Sequence, residues 1–414
     1  MIALKPYLKV VLIVLHIFYL ESQIACAQEF YFLNQKKQLS IAFKLVKNLI
    51  VIPVKINQKG PYNFLLDTGI GMCLITNPSL IDSLKLKNLG SIRITGFGQG
   101  DELRASIAPK ISMQIGKTRT DSIPAIILNN DLLELSETLG IPIYGLIGYD
   151  FFNSFIVEIR YSTQRLVLHP FEQGFKERKH ILIPISLEEK KPYVFVTMKS
   201  DNGTTIPLKL IIDTGAGHAI SLENYNGKSF LLPKKNIKAN LGVGLLGPIN
   251  GHIARIKNLK ISKFTLNDVV SSFPEYNETV KGFVYPNRNG NLGNPVLKKF
   301  QVTFDYSRNR IYLKPSSHFK EPFEHDMSGL ELITIGPDFK RIFISRVEPL
   351  SAGEDVGLRS EDEILSIDFK PVKEIGLEEI NALFSSKDNR SFILNILSKG
   401  TNNRYIILKL KKRI

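Results

Sequence analysis

The chain of 414 residues is poor in cysteine: Cys26 and Cys73 are the two it has, and no Cys and His stand at the spacing of a zinc site. A disulfide scaffold is therefore excluded, and nothing in the sequence implies a metal or a cofactor. The chain has no uncharged apolar run of 18 residues, so no segment reaches across the roughly 30 Å of bilayer hydrocarbon as a helix. It also lacks a block of one charge. The formal net charge of +15 permits attraction to polyanions, but the basic residues are scattered rather than gathered into a run with interleaved aromatics, so nucleic acid is not an expected partner. What is present is ordinary: 43% hydrophobic and 22% charged residues, with 29 Gly and 21 Pro. That composition excludes a disordered, collagen-like or coiled-coil chain, and the length accommodates about two to four domains.

The N-terminus reads as an address. Lys5 and Lys9 precede an apolar stretch over residues 10–20, followed by Glu21, Ser22 and Gln23 and then Ala25-Cys26-Ala27. These are the n-region, h-region and A-x-A site of a secretory signal, so residues 1–27 are expected to be removed and the mature chain exported, periplasmic or extracellular. Lipidation of Cys26 is the other reading, disfavoured by Gln23 where a lipobox carries Leu or a similar residue. Without the leader only Cys73 remains, and its apolar context, Met72-Cys73-Leu74-Ile75, reads as that of a small buried hydrophobe with no adjacent cation or His to activate a thiolate.

An internal repeat carries more information. Asp67-Thr68-Gly69 recurs 146 residues later as Asp213-Thr214-Gly215, each after an apolar run, Phe64-Leu65-Leu66 and Leu210-Ile211-Ile212. Gly96-Phe97-Gly98 recurs at the same offset as Gly242-Val243-Gly244, and Leu146-Ile147-Gly148 recurs one residue short of it as Asn291-Leu292-Gly293. Further on, the residues from Phe155 to Pro170 align without gaps with those from Phe300 to Pro315. In the second copy Phe300, Val302, Phe304 and Tyr306 alternate with other residues ahead of a polar turn, which predicts a hairpin with one buried face. Helical signals are short, over residues 78–86 and 130–139. Two mostly-β lobes in tandem are expected, over residues 41–172 and 179–316, with the basic stretch 176–179 as a solvated linker.

A carboxylate placed straight after a buried apolar strand is costly unless it is hydrogen-bonded or shares a proton. One Asp-x-Gly is common turn chemistry. Two at matching positions in duplicated lobes would be brought face to face by a pseudo-twofold axis, and two carboxyls a few ångströms apart retain one proton between them. Such a pair acts as base and acid at once: one member takes a proton from a water, and the other protonates the carbonyl oxygen that the water attacks.

In these residues both lobes resemble the aspartic peptidase superfamily, of the pepsin and retroviral protease type. The resemblance implies a bilobal acid-protease fold, a polypeptide substrate, and Asp67 and Asp213 as the catalytic pair. It further implies that Thr68 and Thr214 cross-brace the two loops and that Gly69 and Gly215 let the backbone approach closely. Gly96, Phe97 and Gly98, with Gly242, Val243 and Gly244, become two flaps over the cleft. Ile70 and Ala216 depart from the pattern, standing where pepsin-like members often carry a Ser or Thr donor. Fewer donors to the pair, and activity nearer neutrality, are expected. His218, five residues past Asp213, is expected at the surface or behind the reacting pair and not in it, because the mechanism needs no imidazole.

After Pro315 a polar linker leads to a third unit, expected over residues 325–414. Its run Leu350-Ser351-Ala352-Gly353, then Gly357-Leu358 and Asp362-Glu363-Ile364-Leu365, resembles the bacterial PDZ signature, which implies a small α+β domain. The resemblance makes Gly329, Leu330, Glu331 and Leu332 part of a groove for a C-terminal peptide. The reading is thus an exported aspartic endopeptidase with a PDZ module. Its rival is a protease-fold binding protein that recruits partners through that module.

Overall fold

A computed structural model describes residues 29–34, 38–94, 103–175, 179–200, 203–244, 247–275 and 288–414. The leader, Cys26 and the Gly96-Phe97-Gly98 segment lie outside the described residues. The described residues are mostly β, in four sheets. Among the described residues no helix is long and apolar enough to cross a membrane.

Two of the sheets are built on one plan. In the first, Lys59–Leu66 runs parallel to Gly145–Ile147, which is antiparallel to Cys73–Ile75, which is parallel to Thr118–Leu128. In the second, Thr205–Ile212 runs parallel to Gly290–Leu292, which is antiparallel to Ile220–Leu222, which is parallel to Phe264–Pro274. The local sequence explains why such strands lie inside. Phe64, Leu65 and Leu66, like Leu210, Ile211 and Ile212, are buried one after another, which a strand covered on both faces requires.

The third sheet joins the two copies. Its order is Ile181–Pro184, Arg310–Pro315, Phe300–Asp305, Ile156–Arg160, Arg165–His169, Leu39–Ala42. Each half supplies a hairpin plus one strand, and the order reads the same from either end. The halves meet where Val157 pairs Phe304 and Ile159 pairs Val302. Phe151, Phe152, Phe155, Phe300 and Phe304 are fully buried in one core that spans both copies. At this seam Glu158 is completely buried yet paired: Arg160 donates to both its oxygens at 2.8 and 2.9 Å, and Gln301 also bonds to it. A carboxylate there is tolerable only with such partners.

The helices are shorter than the sequence suggests, Leu80–Leu84 and Leu135–Leu139. The second begins late because Glu134, at φ 44°, lies in the left-handed region and breaks the turn before it. The fourth sheet, Leu330–Ile335, Arg341–Val347, Glu363–Ile367, Ser391–Ser398 and Asn402–Lys409, packs a separate core with the helix Leu377–Phe384. Strand Leu330–Ile335 is at its edge.

Candidate active site

Each Asp-Thr-Gly leaves a buried central strand and turns at once. The amide of Asp67 donates to Ile147 O at 2.8 Å, and that of Asp213 donates to Leu292 O at 2.9 Å, so the two tripeptides leave their sheets in the same way. They are then locked to each other. Thr68 Oγ1 donates to Ile212 O at 2.6 Å and accepts from the Thr214 amide at 3.0 Å. Thr214 Oγ1 donates to Leu66 O at 2.7 Å and accepts from the Thr68 amide at 3.0 Å. Both threonines are fully buried. Valine in either place would leave an amide and a carbonyl without partners in the interior, which costs about 1–3 kcal/mol per group.

The threonine brace brings the Asp67 and Asp213 carboxyls within hydrogen-bonding reach of each other. The Gly69 amide donates to Asp67 Oδ1 at 2.7 Å, and the Gly215 amide to Asp213 Oδ1 at 2.9 Å. A side chain would overlap the acids at Gly215 and crowd them at Gly69. A Cβ on Gly215 would lie 2.3 Å from both Cγ and Oδ2 of Asp67, and one on Gly69 would lie 3.1 Å from Asp213 Oδ1. Gly148 and Gly293 are equally constrained from behind, where a Cβ would sit 1.9 Å from Asp67 O and 2.0 Å from His218 O.

The pair is symmetric in backbone and asymmetric in partners. Asn291 Nδ2 donates to Asp213 Oδ2 at 2.9 Å, and Asn291 Oδ1 lies 2.6 Å from His218 Nε2. An amide that donates through nitrogen must accept through oxygen, so His218 carries its hydrogen on Nε2. In the first copy the matching residues are Leu146 and Met72, which have no donor to offer. The donor that Ala216 lacks is therefore supplied to Asp213 from another strand, which corrects the expectation of a pair poor in donors; on the Asp67 side, Ile70 and Leu146 leave it standing. Burial, and after it the charge of Asp213, hold the Asp67 carboxyl well above the ordinary carboxylate range, against the pull of the Gly69 amide. With the Asn291 amide donating to Asp213 in addition to the Gly215 amide, and the Gly69 amide donating to Asp67, the hydrogen bonds favour Asp213 as the charged member and Asp67 as the one that keeps the shared proton.

A cleft of about 700 Å³ contains both carboxyls. Its lining is apolar at Leu49, Ile70, Ile94, Ile126, Leu133 and Leu135 and charged or polar at Lys190, Lys191, His218, Glu223 and Arg288. Arg288 and Glu223 are paired at 2.5 Å. Lys191 is near enough for its charge to act on both acids, and burial lowers its own pKa. Val243 and Gly244, at the tip of the hairpin formed by Asn236–Gly244 and Gly247–Ile261, line the cleft as well, whereas Gly242 precedes them with φ 122°. A larger surface cavity, about 1330 Å³ between Arg255, Phe319 and Ile414, contains neither acid. Cys73 is fully buried and burial pushes its thiol up, so it offers no nucleophile. Among the described residues no group of His, Cys, Asp and Glu is arranged to hold a metal ion.

Residues 52–151 match the family model for aspartyl proteases. The match ends before Asp213, so it covers Asp67-Thr68-Gly69 and the strand Gly145–Ile147 behind it, and the second copy rests on the repeat. No curated protein matches the chain. Among solved structures, a photosystem II D1 C-terminal processing protease is 23% identical over 20% of this chain and 22% of its own, with a TM-score of 0.19. This chain thus spans about a fifth of that protein, and the likeness carries no argument.

The residue that sequence reading missed is Asn291. Its signal was the one polar residue in the second apolar-apolar-Gly, opposite Leu146 in the first. What the sequence did not contain is the register that sets it beside Asp213.

Proposed function

We propose that the chain is an exported aspartic-type endopeptidase with the bilobal, retropepsin-like architecture of two fused repeats, followed by a PDZ domain. The family match to the first copy supports protease chemistry. The observation that carries the finer reading is the pair Asp67 and Asp213, cross-braced by Thr68 and Thr214 and open to a cleft formed by both copies. No other acids among the described residues are placed in this way.

Asp213, held by Asn291, takes a proton from a water between the carboxyls as the water oxygen bonds to the scissile carbonyl carbon. Asp67 gives its proton to the carbonyl oxygen, forming a neutral gem-diol. On collapse the C–N bond breaks. The nitrogen takes the proton now on Asp213, and Asp67 recovers one from a diol hydroxyl, so the pair ends as it began. Each transfer begins or ends on one of the two carboxyls, which lie together in the cleft, and general acid–base catalysis needs such a positioned pair. The apolar lining fits a hydrophobic substrate side chain at Leu133 and Leu135, worth about 1.5–3 kcal/mol when buried.

The test is incubation of the mature protein with a diverse peptide library, read by mass spectrometry. Internal cleavage beside apolar residues is expected, and none with Asp67→Asn or Asp213→Asn. A variant that cuts as fast as wild type would end the proposal.

A further inference from the structure

Strand Leu330–Ile335 pairs with Arg341–Val347 on one side only, and an open edge is a template for another extended chain. In this protein the edge is already in use. Thr334 Oγ1 donates to Glu137 O at 2.9 Å, and Lys47 Nζ donates to Leu332 O at 3.3 Å. Across the groove, the Lys47 amide donates to Glu378 Oε2 at 2.8 Å, at the start of helix Leu377–Phe384. Gly140, with φ 70°, is pressed between the two walls: a Cβ there would lie 3.3 Å from both Leu377 Cβ and Thr334 Cγ2. Thr334 is fully buried as a result.

The loop that would receive a peptide carboxylate is also engaged from within. The Gly329 amide donates to Asp326 Oδ2 at 2.5 Å, the Leu330 amide to Ser328 Oγ at 3.1 Å, and Ser328 Oγ to Asp326 Oδ1 at 2.7 Å. Glu331 and Glu348 bond to the strand Asn236–Gly244, accepting from Asn240 Nδ2 at 3.3 Å and from the Asn240 amide at 3.4 Å.

We propose that the groove between Leu330–Ile335 and Leu377–Phe384 has residues 134–141 of the same chain as its built-in occupant, so that the C-terminal domain latches the cleft instead of recruiting free chain termini. Leu135 of the captured segment and Leu133 next to it line the cleft, as do Leu241 and Val243 just after Asn240. An extended polypeptide that pairs with the strand edge must displace residues 134–141 and so move the apolar lining. Edge occupancy and cleft shape are then coupled, and the coupling acts in both directions. With Asp326 on the loop amides, the competitor that fits is an internal extended segment and not a carboxyl terminus. The latch needs only the geometry of the cleft and holds whether or not the cleft hydrolyses peptides.

Hydrogen exchange on the full chain without substrate tests it. Thr334→Val with Glu378→Ala removes two of the contacts and no residue of the acid pair. Exchange over residues 133–141 should rise about tenfold, as the loss of two hydrogen bonds implies, while the strand Thr205–Ile212 stays as in wild type. Thr334→Val alone, the milder change, should give a smaller rise at the same amides, and Thr334→Ser should give none. Exchange over 133–141 within twofold of wild type in both valine variants would overturn the latch. Peptide cleavage plays no part in this readout, so failure of the protease reading leaves it intact.

Discussion

Replacing Asn291 with leucine would give the second copy the residue that the first already has at Leu146. The side chain keeps its branching and number of heavy atoms, and Asp213 Oδ2 loses its 2.9 Å donor. A hydrogen bond to a charged acceptor contributes about 1.5–3 kcal/mol. At 1.36 kcal/mol per pH unit, its loss should move the acidic limb of the pH–rate profile upward by about one to two units. The sign follows from which form the donor favours. Asn291 stabilises the carboxylate, so without it the first proton of the pair comes off at higher pH and the base is lost earlier on acidification. At a pH below the new limb, kcat/KM should fall by about 10- to 100-fold with the basic limb little changed. Two assays check this: cleavage of a library-derived peptide across pH, and carbon-13 titration of the aspartate carboxyls, which needs no turnover. The charges facing the pair are Lys191, which acts on both acids, and Arg288, which acts on Asp213; Tyr306 adjoins Asp67. All are unchanged in the variant. If the acidic limb and the lower carboxyl midpoint both stay within about 0.3 unit of wild type, the shift expected from a charged hydrogen bond is absent and the assignment of Asp213 as base fails. His218→Met, which matches Met72, should produce a smaller shift in the same direction, because it loosens Asn291 without removing it.

Gly215→Ala should reduce cleavage more than 100-fold, on the order of 3 kcal/mol of barrier, since its Cβ would overlap the Asp67 carboxyl at 2.3 Å; a folded variant with normal kcat would contradict that geometry. Asp67→Asn should raise the melting temperature at pH 7 but not at pH 3. The raised carboxyl of Asp67 gives stability that is complete below the ordinary value of 3.8 and lost as pH climbs toward its folded value, and equal shifts at the two pH values would refute the linkage. His325 runs the other way. Burial, with Arg413 and Arg255 nearby, lowers it from 6.5 to about 4, so stability present above 6.5 should fall by up to about 3 kcal/mol as pH drops to 4. In His325→Gln that slope should disappear from denaturant unfolding curves. Thr214→Val should destabilise the chain by about 2–4 kcal/mol and loosen both copies together; a normal denaturation midpoint would show that the cross-brace is dispensable.

The local elements of the fold were legible because their signals are local. Apolar runs bounded by turns marked Lys59–Leu66 and Thr205–Ile212, alternation marked Phe300–Asp305, and the two Asp-Thr-Gly tripeptides marked the candidate acids. The short helices were drawn too long, since a positive φ at Glu134 is not a property that its residue type announces. The role of Asn291 was not legible. Whether it reaches Asp213 depends on the pairing of Gly290–Leu292 with Thr205–Ile212, a register between segments about 80 residues apart.

By itself the sequence determined that an Asp-Thr-Gly recurs at matching places in two similar stretches of chain, because a repeat written into the residues needs no structure to be read. Only the tertiary structure decided that the two acids differ in their partners and that the edge of strand Leu330–Ile335 is covered from within the chain. Asp67 and Asp213 have identical neighbours along the chain in Thr and Gly, and their difference comes from Asn291 and His218 folded against one of them. Likewise, strand Leu330–Ile335 looks like an open edge until Glu137 and Lys47, far away in sequence, fold onto it. Both outcomes are set by contacts between distant segments, and which of those contacts form is fixed by packing and register across the whole molecule.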